Sequence, residues 1–393
     1  MGVRVPSSVV AGPLQGVRVV ELAGIGPVPF AGMVLADLGA DVIRVDRLEA
    51  GPLAGLSTRD PTGRGRRSIA LDLKQPEGRE VVMRLVARSQ ILIEGFRPGV
   101  MERLGLGPEP CLEVNPRLVY GRMTGWGQEG PRAGTAGHDI TYLAATGTLS
   151  AIGPADQPVP PLNLVADYGG GAMLLLVGVL AALDLSRRTG QGQVVDAAMV
   201  DGVSLLMAMV RGGLAAGWWE DQRHHNLLDG AAPFYRTYRA ADGEFIAVGA
   251  LEPQFYAAFL EGLGIDPVDL PDQHDRSRWP ELTELFARLI GQKTVDECET
   301  IFAGTDACVA RVHTLNGALT EPHLVARRTF MTADGLVQPA PAPRFSLTPA
   351  ATDGVPVAIG GHTAEVLEEL GFTDAEIGKL AAQRATTRTN PED

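Results

Sequence analysis

Short β-branched runs alternate with amphipathic stretches along the amino-terminal part of this chain, and that alternation confines it to an α/β fold built from βαβ units. Val17–Leu22 reads as a strand. Pro27 and Pro29 stand where a starting helix accepts proline, and Phe30, Met33, Val34 and Leu38 then recur at helical spacing until Gly39 supplies the stop. Asp41–Val45 is the second strand. Ser68–Leu73, a helix from Pro76 to Ser89, and Ile91–Glu94 repeat the pattern, and Leu118–Arg122 adds a further strand. Such units wind one way, so the expectation is a Rossmann-like, doubly wound parallel sheet.

A chain of 393 residues, 45% of them hydrophobic, exceeds what one core usually holds and points to two domains. An apolar helix is predicted from Asp167 to Leu183, and a second helical pattern from Val195 to Gly217 ends at Trp218-Trp219. The texture then changes. Between Phe234 and Val325 a strand at Phe245–Val248 and helices at Glu252–Leu263, Pro280–Ile290 and Val295–Phe302 read as a smaller α+β domain. Pro339–Pro349 looks like a crossing linker. Helix returns at Glu365–Leu370, stopped by Gly371, and a capping box at Thr373–Glu376 opens another.

Charge and cysteine usage exclude several functions. A net charge of −13 argues against nucleic-acid or anionic-membrane partners, which need clustered positive charge. Cys111, Cys298 and Cys308 are too scattered for a disulfide framework or a paired-cysteine metal site. The longest apolar stretch, Tyr168–Leu183, is short for a membrane span of about 20 residues. Met1-Gly2 would suit myristoylation except for Pro6, and Pro391-Glu392-Asp393 is no peroxisomal signal, so a reducing, cytoplasmic location is expected.

Three places could carry chemistry. After the first strand, Gly24 and Gly26 have dinucleotide-loop spacing, but Pro29 occupies the third glycine and Arg47 directly follows Asp46, so a tight turn without cofactor fits better. A basic run of Arg59, Arg64, Arg66, Arg67 and Lys74, joined by Arg44, Arg47, Arg97 and Arg103, is either a solvated face or a cradle for phosphate at strand ends. The third place is the glycine-framed segment Gly137–Gly171, which holds His138, Asp139 and Asp167, with Glu252 opening a helix further on. Asp139 and Asp167 could be helix caps and His138 a hydrogen-bonded core residue, or these groups could move protons. No GxSxG elbow, P-loop or HExxH occurs, which leaves general acid and base work.

A resemblance resolves these alternatives. Val19-Val-Glu-Leu-Ala-Gly, Met33-Val-Leu-Ala-Asp-Leu-Gly-Ala-Asp-Val with Arg44-Val-Asp-Arg47, Leu71-Asp-Leu-Lys74, Arg97-Pro-Gly-Val-Met-Glu-Arg103, Thr124-Gly-Trp-Gly-Gln128, Gly137-His-Asp-Ile, Pro161-Leu-Asn-Leu-Val, Gly192-Gln-Val-Val-Asp-Ala-Ala-Met-Val, Ala232-Pro-Phe-Tyr and Glu252-Pro-Gln-Phe-Tyr follow one another in order. Over nearly its whole length the chain resembles the α-methylacyl-CoA racemases of the family III CoA-transferase (CaiB/BaiF) superfamily. The order and spacing of these segments carry the likeness.

The resemblance implies epimerisation at the α-carbon of 2-methyl-branched acyl-CoA thioesters, with no metal or redox cofactor. His138 would serve one face with Glu252 as its partner, Asp167 the other, and Asn163 would order the site. The CoA moiety would lie along Arg47, Leu71, Asp72, Leu73, Lys74, Gly95, Phe96, Arg97 and Arg103, and the thioester would reach Gly137, Asp139, Ile140, Thr141 and Tyr142. The implied fold is an interlocked homodimer whose site is shared between subunits, Glu252 acting in trans. Its large domain would take residues 1–197 and 341–393, with a helical linker at 198–235, a small domain at 236–327 and a return linker at 328–340. Val28 and Thr141 replace residues often Gly and Asn in the racemases, Ala231 stands at a usual second Gly, and Arg311 replaces a Pro. The rival within the superfamily is a CoA-transferase using Asp167 as nucleophile; a non-catalytic acyl-CoA binder is the rival from another class.

Overall fold

A computed structural model describes residues 12–48, 59–350, 352 and 354–386 of the chain. The terminal signals considered above, with Gly2 and Pro6 at one end and Pro391–Asp393 at the other, lie outside these residues. By its internal contacts the chain divides into two compact units: one runs to Leu143 and resumes at Leu162–Leu206 and from Ala326, and the other comprises Ala144–Pro161 and Met207–Val325.

The first unit is built on a parallel sheet of β1 (Arg18–Leu22), β2 (Asp41–Asp46), β3 (Arg66–Ala70), β4 (Ile91–Glu94), β5 (Val119–Thr124) and β6 (Gln193–Ala198). Its order is β3-β2-β1-β4-β5-β6. Val19, Val20, Ile43, Ile69, Ile91, Leu92 and Val119 are wholly buried, as expected of strands covered on both faces. The order reverses between β1 and β4, so the strands' carboxyl ends open a crevice there.

Two segments differ from the sequence reading. The pattern from Val195, read as one long helix, begins as β6, which pairs in parallel with β5 through Tyr120↔Val194 and Arg122↔Asp196. Val194 and Val195 favour extended backbone, and the apolar period of so short a run does not separate strand from helix. Helix then resumes at Met199–Leu206. The segment assigned to a return linker contains a hairpin of β10 (Phe330–Ala333) and β11 (Leu336–Pro339). Its turn residues Asp334 and Gly335 both have positive φ, the geometry that Asp-Gly supplies to a two-residue hairpin loop.

The apolar helix is also longer than predicted. A continuous helical run covers Leu164–Thr189, 26 residues, which by length and composition could cross a membrane. Half of its most apolar window is buried within the fold, and Leu175 and Val179 pack over Gly121 of β5, so it serves here as a core helix.

The basic run is largely structural, which corrects the phosphate-cradle reading for four of its arginines. Arg66 is fully buried and donates to Glu21 at 2.5 Å. Arg64 forks onto Asp37 at 3.0 and 2.6 Å and donates to Gln338 at 2.8 Å and to the Pro339 carbonyl at 2.7 Å. Arg44 pairs with Asp46 at 2.8 Å, and Arg67 with Asp41, Glu365 and Glu369. The bonds of Arg64 and Arg67 tie the carboxy-terminal segment to the rest of the first unit. The helix Thr363–Glu369 is anchored through Ser68 and Ala70 of β3, and the predicted capping box forms at Thr373 and Glu376.

The second unit holds the antiparallel sheet β7-β8-β9, made of β7 (Tyr235–Arg239), β8 (Phe245–Gly249) and β9 (Val309–Arg311). Helices Pro253–Leu263, Trp279–Ile290 and Val295–Phe302 cover it, close to the predicted ranges. Their core is aromatic: Phe234 meets Tyr256 and Trp279 edge-on, and Phe259 meets Phe286. Arg311 joins β9 to Asp296 and Glu299 of the last helix, which gives this departure from the racemase pattern a structural use.

Candidate active site

Because all six strands run the same way, the loops that follow them share one edge of the sheet. Arg47 follows β2, Leu71–Lys74 follows β3, Gly95–Arg97 follows β4, and Gly125 follows β5. Arg47, Lys74, Arg97 and Arg103 are exposed, unlike the paired arginines inside the fold. Leu71 instead belongs to the core, Leu73 packs against it, and Asp72 turns its carboxylate onto the Lys74 amide and the Gln75 side chain. Gly95 is confined: a Cβ there would come within 2.8 Å of Val28, the residue that departs from the usual glycine.

Asp167 stands on a wide helical turn, Leu164–Ala172, whose hydrogen bonds run i to i+5 before the helix tightens at Met173. Wide turns of this kind cluster at functional sites because they leave backbone and side chains out of the normal register. The glycines permit it, since a Cβ on Gly170 would come within 2.7 Å of the Val203 amide and one on Gly171 within 2.8 Å of the Ala166 carbonyl. Burial pushes the Asp167 carboxyl above its ordinary value and Asp139 adds to that push, while the Asn163 amide, 3.4 Å from Oδ2, and His138 oppose it. The result is a carboxyl biased toward holding a proton, as a group that must both take and return one requires. Gly26 brings the start of the Pro27–Asp37 helix beside it: a Cβ on Gly26 would lie 3.2 Å from Asp167 Oδ2.

His138 directly precedes the helix Asp139–Thr146 and is exposed. Thr141 fixes its backbone, accepting from the His138 amide at 3.0 Å and donating to its carbonyl at 2.7 Å. Threonine at this departure position therefore holds the imidazole's anchor point. Tyr142 is buried, and its ring lies so close to Gly125 and Gly137 that a Cβ on either would overlap it. Burial raises the phenol's pKa; Asp167 adds to the rise, and Arg97 opposes it. His138, Tyr142, Asn163, Asp167 and Arg97 thus gather at one place. Ile140 is 44% exposed beside them. Glu252 stands in the second unit at the N-cap of Pro253–Leu263, exposed and without a side-chain capping bond.

Two residues escaped the sequence reading. Trp126 packs edge-on to Tyr142 at 4.9 Å and carries Arg132 over its ring. Glu94 ends β4, accepts the Phe96 amide at 2.7 Å and pairs with Arg122, which also holds Glu102, so it shapes the loop bearing Phe96 and Arg97. A carboxylate closing a strand just before a glycine loop was the available signal. Burial pushes the Glu94 carboxyl up to about 7, outweighing the Phe96 amide and Arg122. A carboxyl with a raised value in the fold adds stability that is full below its ordinary 4.5 and is lost as pH rises through about 7. Urea unfolding across that range should show the decline in the wild type and a shallower one in Glu94→Gln; equal slopes would contradict the assignment.

Among the described residues no group of three His, Cys, Asp or Glu side chains is arranged to hold a metal ion. The fold and this cluster define a doubly wound α/β protein with a group of ionisable side chains at the carboxyl edge of its sheet. The chain belongs to CoA-transferase family III, whose profile matches residues 14–363. It is 49% identical over 378 residues to the alpha-methylacyl-CoA racemase of Mus musculus, covering 94% of this chain and 97% of that one. The Homo sapiens alpha-methylacyl-CoA racemase is 48% identical over the same shares. A solved CAIB/BAIF family protein from Brucella suis superposes with a TM-score of 0.79 at 28% identity, covering 92% of this chain and all of that one.

Proposed function

We propose that this chain is an isomerase that interconverts the epimers of 2-methyl-branched acyl-CoA thioesters by two-base 1,1-proton transfer. The observation that supports the proposal is that His138 lies near enough to Asp167 to act on its carboxyl, which burial pushes above its ordinary value. One group takes the α-proton, and the C–H electrons pass into the thioester as an enolate. The other returns a proton to the opposite face, restoring the C–H bond with inverted configuration. Amides opening the Asp139–Thr146 helix would steady the enolate oxygen, and a preorganised donor of this kind is typically worth about 10²–10³ in rate. No cofactor is needed, since the protons and electrons balance between substrate and side chains.

In the same reading Arg47, Lys74, Arg97 and Arg103 cradle the phosphates of CoA, a role suited to exposed cations at strand ends. The protein works as an interlocked homodimer in the cytoplasm, and Glu252 of one subunit supports His138 of the other. Large apolar side chains left exposed in the first unit, among them Leu162 at 75%, Val177 at 61% and Leu205 at 61%, support a partner surface.

A CoA-transferase would instead use Asp167 to attack the thioester and form a mixed anhydride. Incubation with a single 2-methylacyl-CoA epimer and hydroxylamine separates the two. The racemase gives the second epimer and no acyl hydroxamate beyond the direct reaction of hydroxylamine with the thioester seen without enzyme; hydroxamate above that background, dependent on Asp167 and without epimerisation, would overturn the proposal.

A further inference from the structure

Every helix start leaves amide N–H groups without partners inside the helix, and a side chain just before it usually accepts one. Asn163 occupies that place before the turn carrying Asp167, yet makes no capping bond. Its amide lies against Asp167 Oδ2 instead. The cap comes from elsewhere in the chain. Asp139, 6% exposed, accepts the amides of Ala166 at 2.8 Å and Asp167 at 2.9 Å through its Oδ2. Its Oδ1 is buried without a hydrogen-bond partner, so the carboxylate's whole hold is on those two amides.

We infer that Asp139 is a positioning residue that caps the Asp167 turn in place of Asn163, leaving Asn163 for the catalytic carboxyl and fixing the spacing of Asp167 from His138. The geometry makes this coupling direct. His138 is the preceding residue, and Thr141 locks its backbone on the same short segment. A single stretch therefore carries the imidazole at one position and grips the Asp167 backbone at the next. The inference rests on the two-base reading given above.

Charge and shape can be separated by two substitutions. Asp139→Asn keeps an oxygen that accepts both amides but removes the negative charge that raises the proton affinity of Asp167. Asp139→Ala removes the grip as well. The other groups acting on Asp167, His138 and Asn163, and its neighbour Tyr142, are unchanged in both variants.

In the direction where Asp167 takes the proton, Asp139→Asn is expected to move the acid limb of kcat/KM to lower pH, because losing a like charge favours the ionised carboxyl. Its kcat should fall about tenfold. Asp139→Ala should lose about 10²-fold or more in kcat with KM little changed, the scale expected when a reacting group is misplaced by about an ångström. Equal kcat in the two variants would overturn the positioning role, and an unmoved acid limb in Asp139→Asn would overturn the charge effect. Should Asp139→Ala fail to fold, Asp139→Ser, whose shorter side chain withdraws the accepting oxygen, takes its place in the kcat comparison. The wild type is measured alongside for α-proton exchange in D₂O. Its absence would reject the two-base reading itself, whereas exchange with equal kcat in the two variants would reject the role of Asp139 alone.

Discussion

Asp167→Asn is expected to lower kcat for epimerisation by about 10²–10⁴-fold, the range that a positioned acid–base group contributes. Asparagine preserves the shape of the site and the neighbouring Asn163 contact, but it neither accepts nor returns the proton. The loss should be one-sided. An enolate can still form from the epimer whose α-proton faces His138, and solvent deuterium can return through the same imidazole. One epimer should therefore wash in deuterium without inverting, while the other exchanges little. Mass spectrometry with chiral separation of the hydrolysed acyl group reads both quantities. A loss below tenfold, or equal exchange from both epimers, would contradict the assignment of Asp167 to one face.

A large effect on stability is expected at Arg64. Its guanidinium and the Asp37 carboxylate are 2% and 3% exposed, and the same guanidinium binds Gln338 and the Pro339 carbonyl. Arg64→Ala leaves a carboxylate buried with no countercharge, at a cost of about 3–5 kcal/mol. It also releases the β10–β11 hairpin from the helix Pro27–Asp37. Replacing both partners by Arg64→Met and Asp37→Leu should restore most of the loss, since burying two apolar side chains of similar volume is often neutral. Urea unfolding followed by far-UV circular dichroism gives the comparison. A single variant within 1 kcal/mol of the wild type, a bound of about a fivefold change in equilibrium, would contradict this account of the pair.

The repeating strands and helices of the first unit were legible because buried parallel strands are nearly continuous runs of Val, Ile and Leu, and β1, β2, β4 and β5 lie within a residue or two of the predicted bounds. β6 was not, because Val194 and Val195 run directly into the apolar helix Met199–Leu206, and period alone does not mark the change. The hairpin at Asp334-Gly335 is legible in principle from its turn residues, but its strands are only four residues each and lie in the segment read as a return linker, next to the proline-rich Pro339–Pro349.

Arginines gave the opposite lesson. Arg44, Arg64, Arg66 and Arg67 looked like one cationic patch with Arg47 and Lys74, yet all four are taken up by Asp46, Asp37, Glu21, Asp41, Glu365 and Glu369. Most of those partners are distant in sequence, so local charge could not show the pairing. At the site, the spacing of His138 and Asp167 identified two candidate groups without stating their relation. The tie between them, Asp139 gripping the Asp167 turn, is made by folding across a gap in the chain and was invisible as pattern. Glu252 was found through resemblance, since a glutamate before a proline-started helix reads equally well as an ordinary cap.

The most direct test of the central claim is incubation of the wild-type protein with one pure epimer of a 2-methylacyl-CoA in D₂O, following α-deuteration and epimer ratio together. Two-base transfer predicts deuterium at the α-carbon of the newly formed epimer and an approach to a mixture of both. Retention of the original hydrogen and configuration, with no exchange, would contradict it.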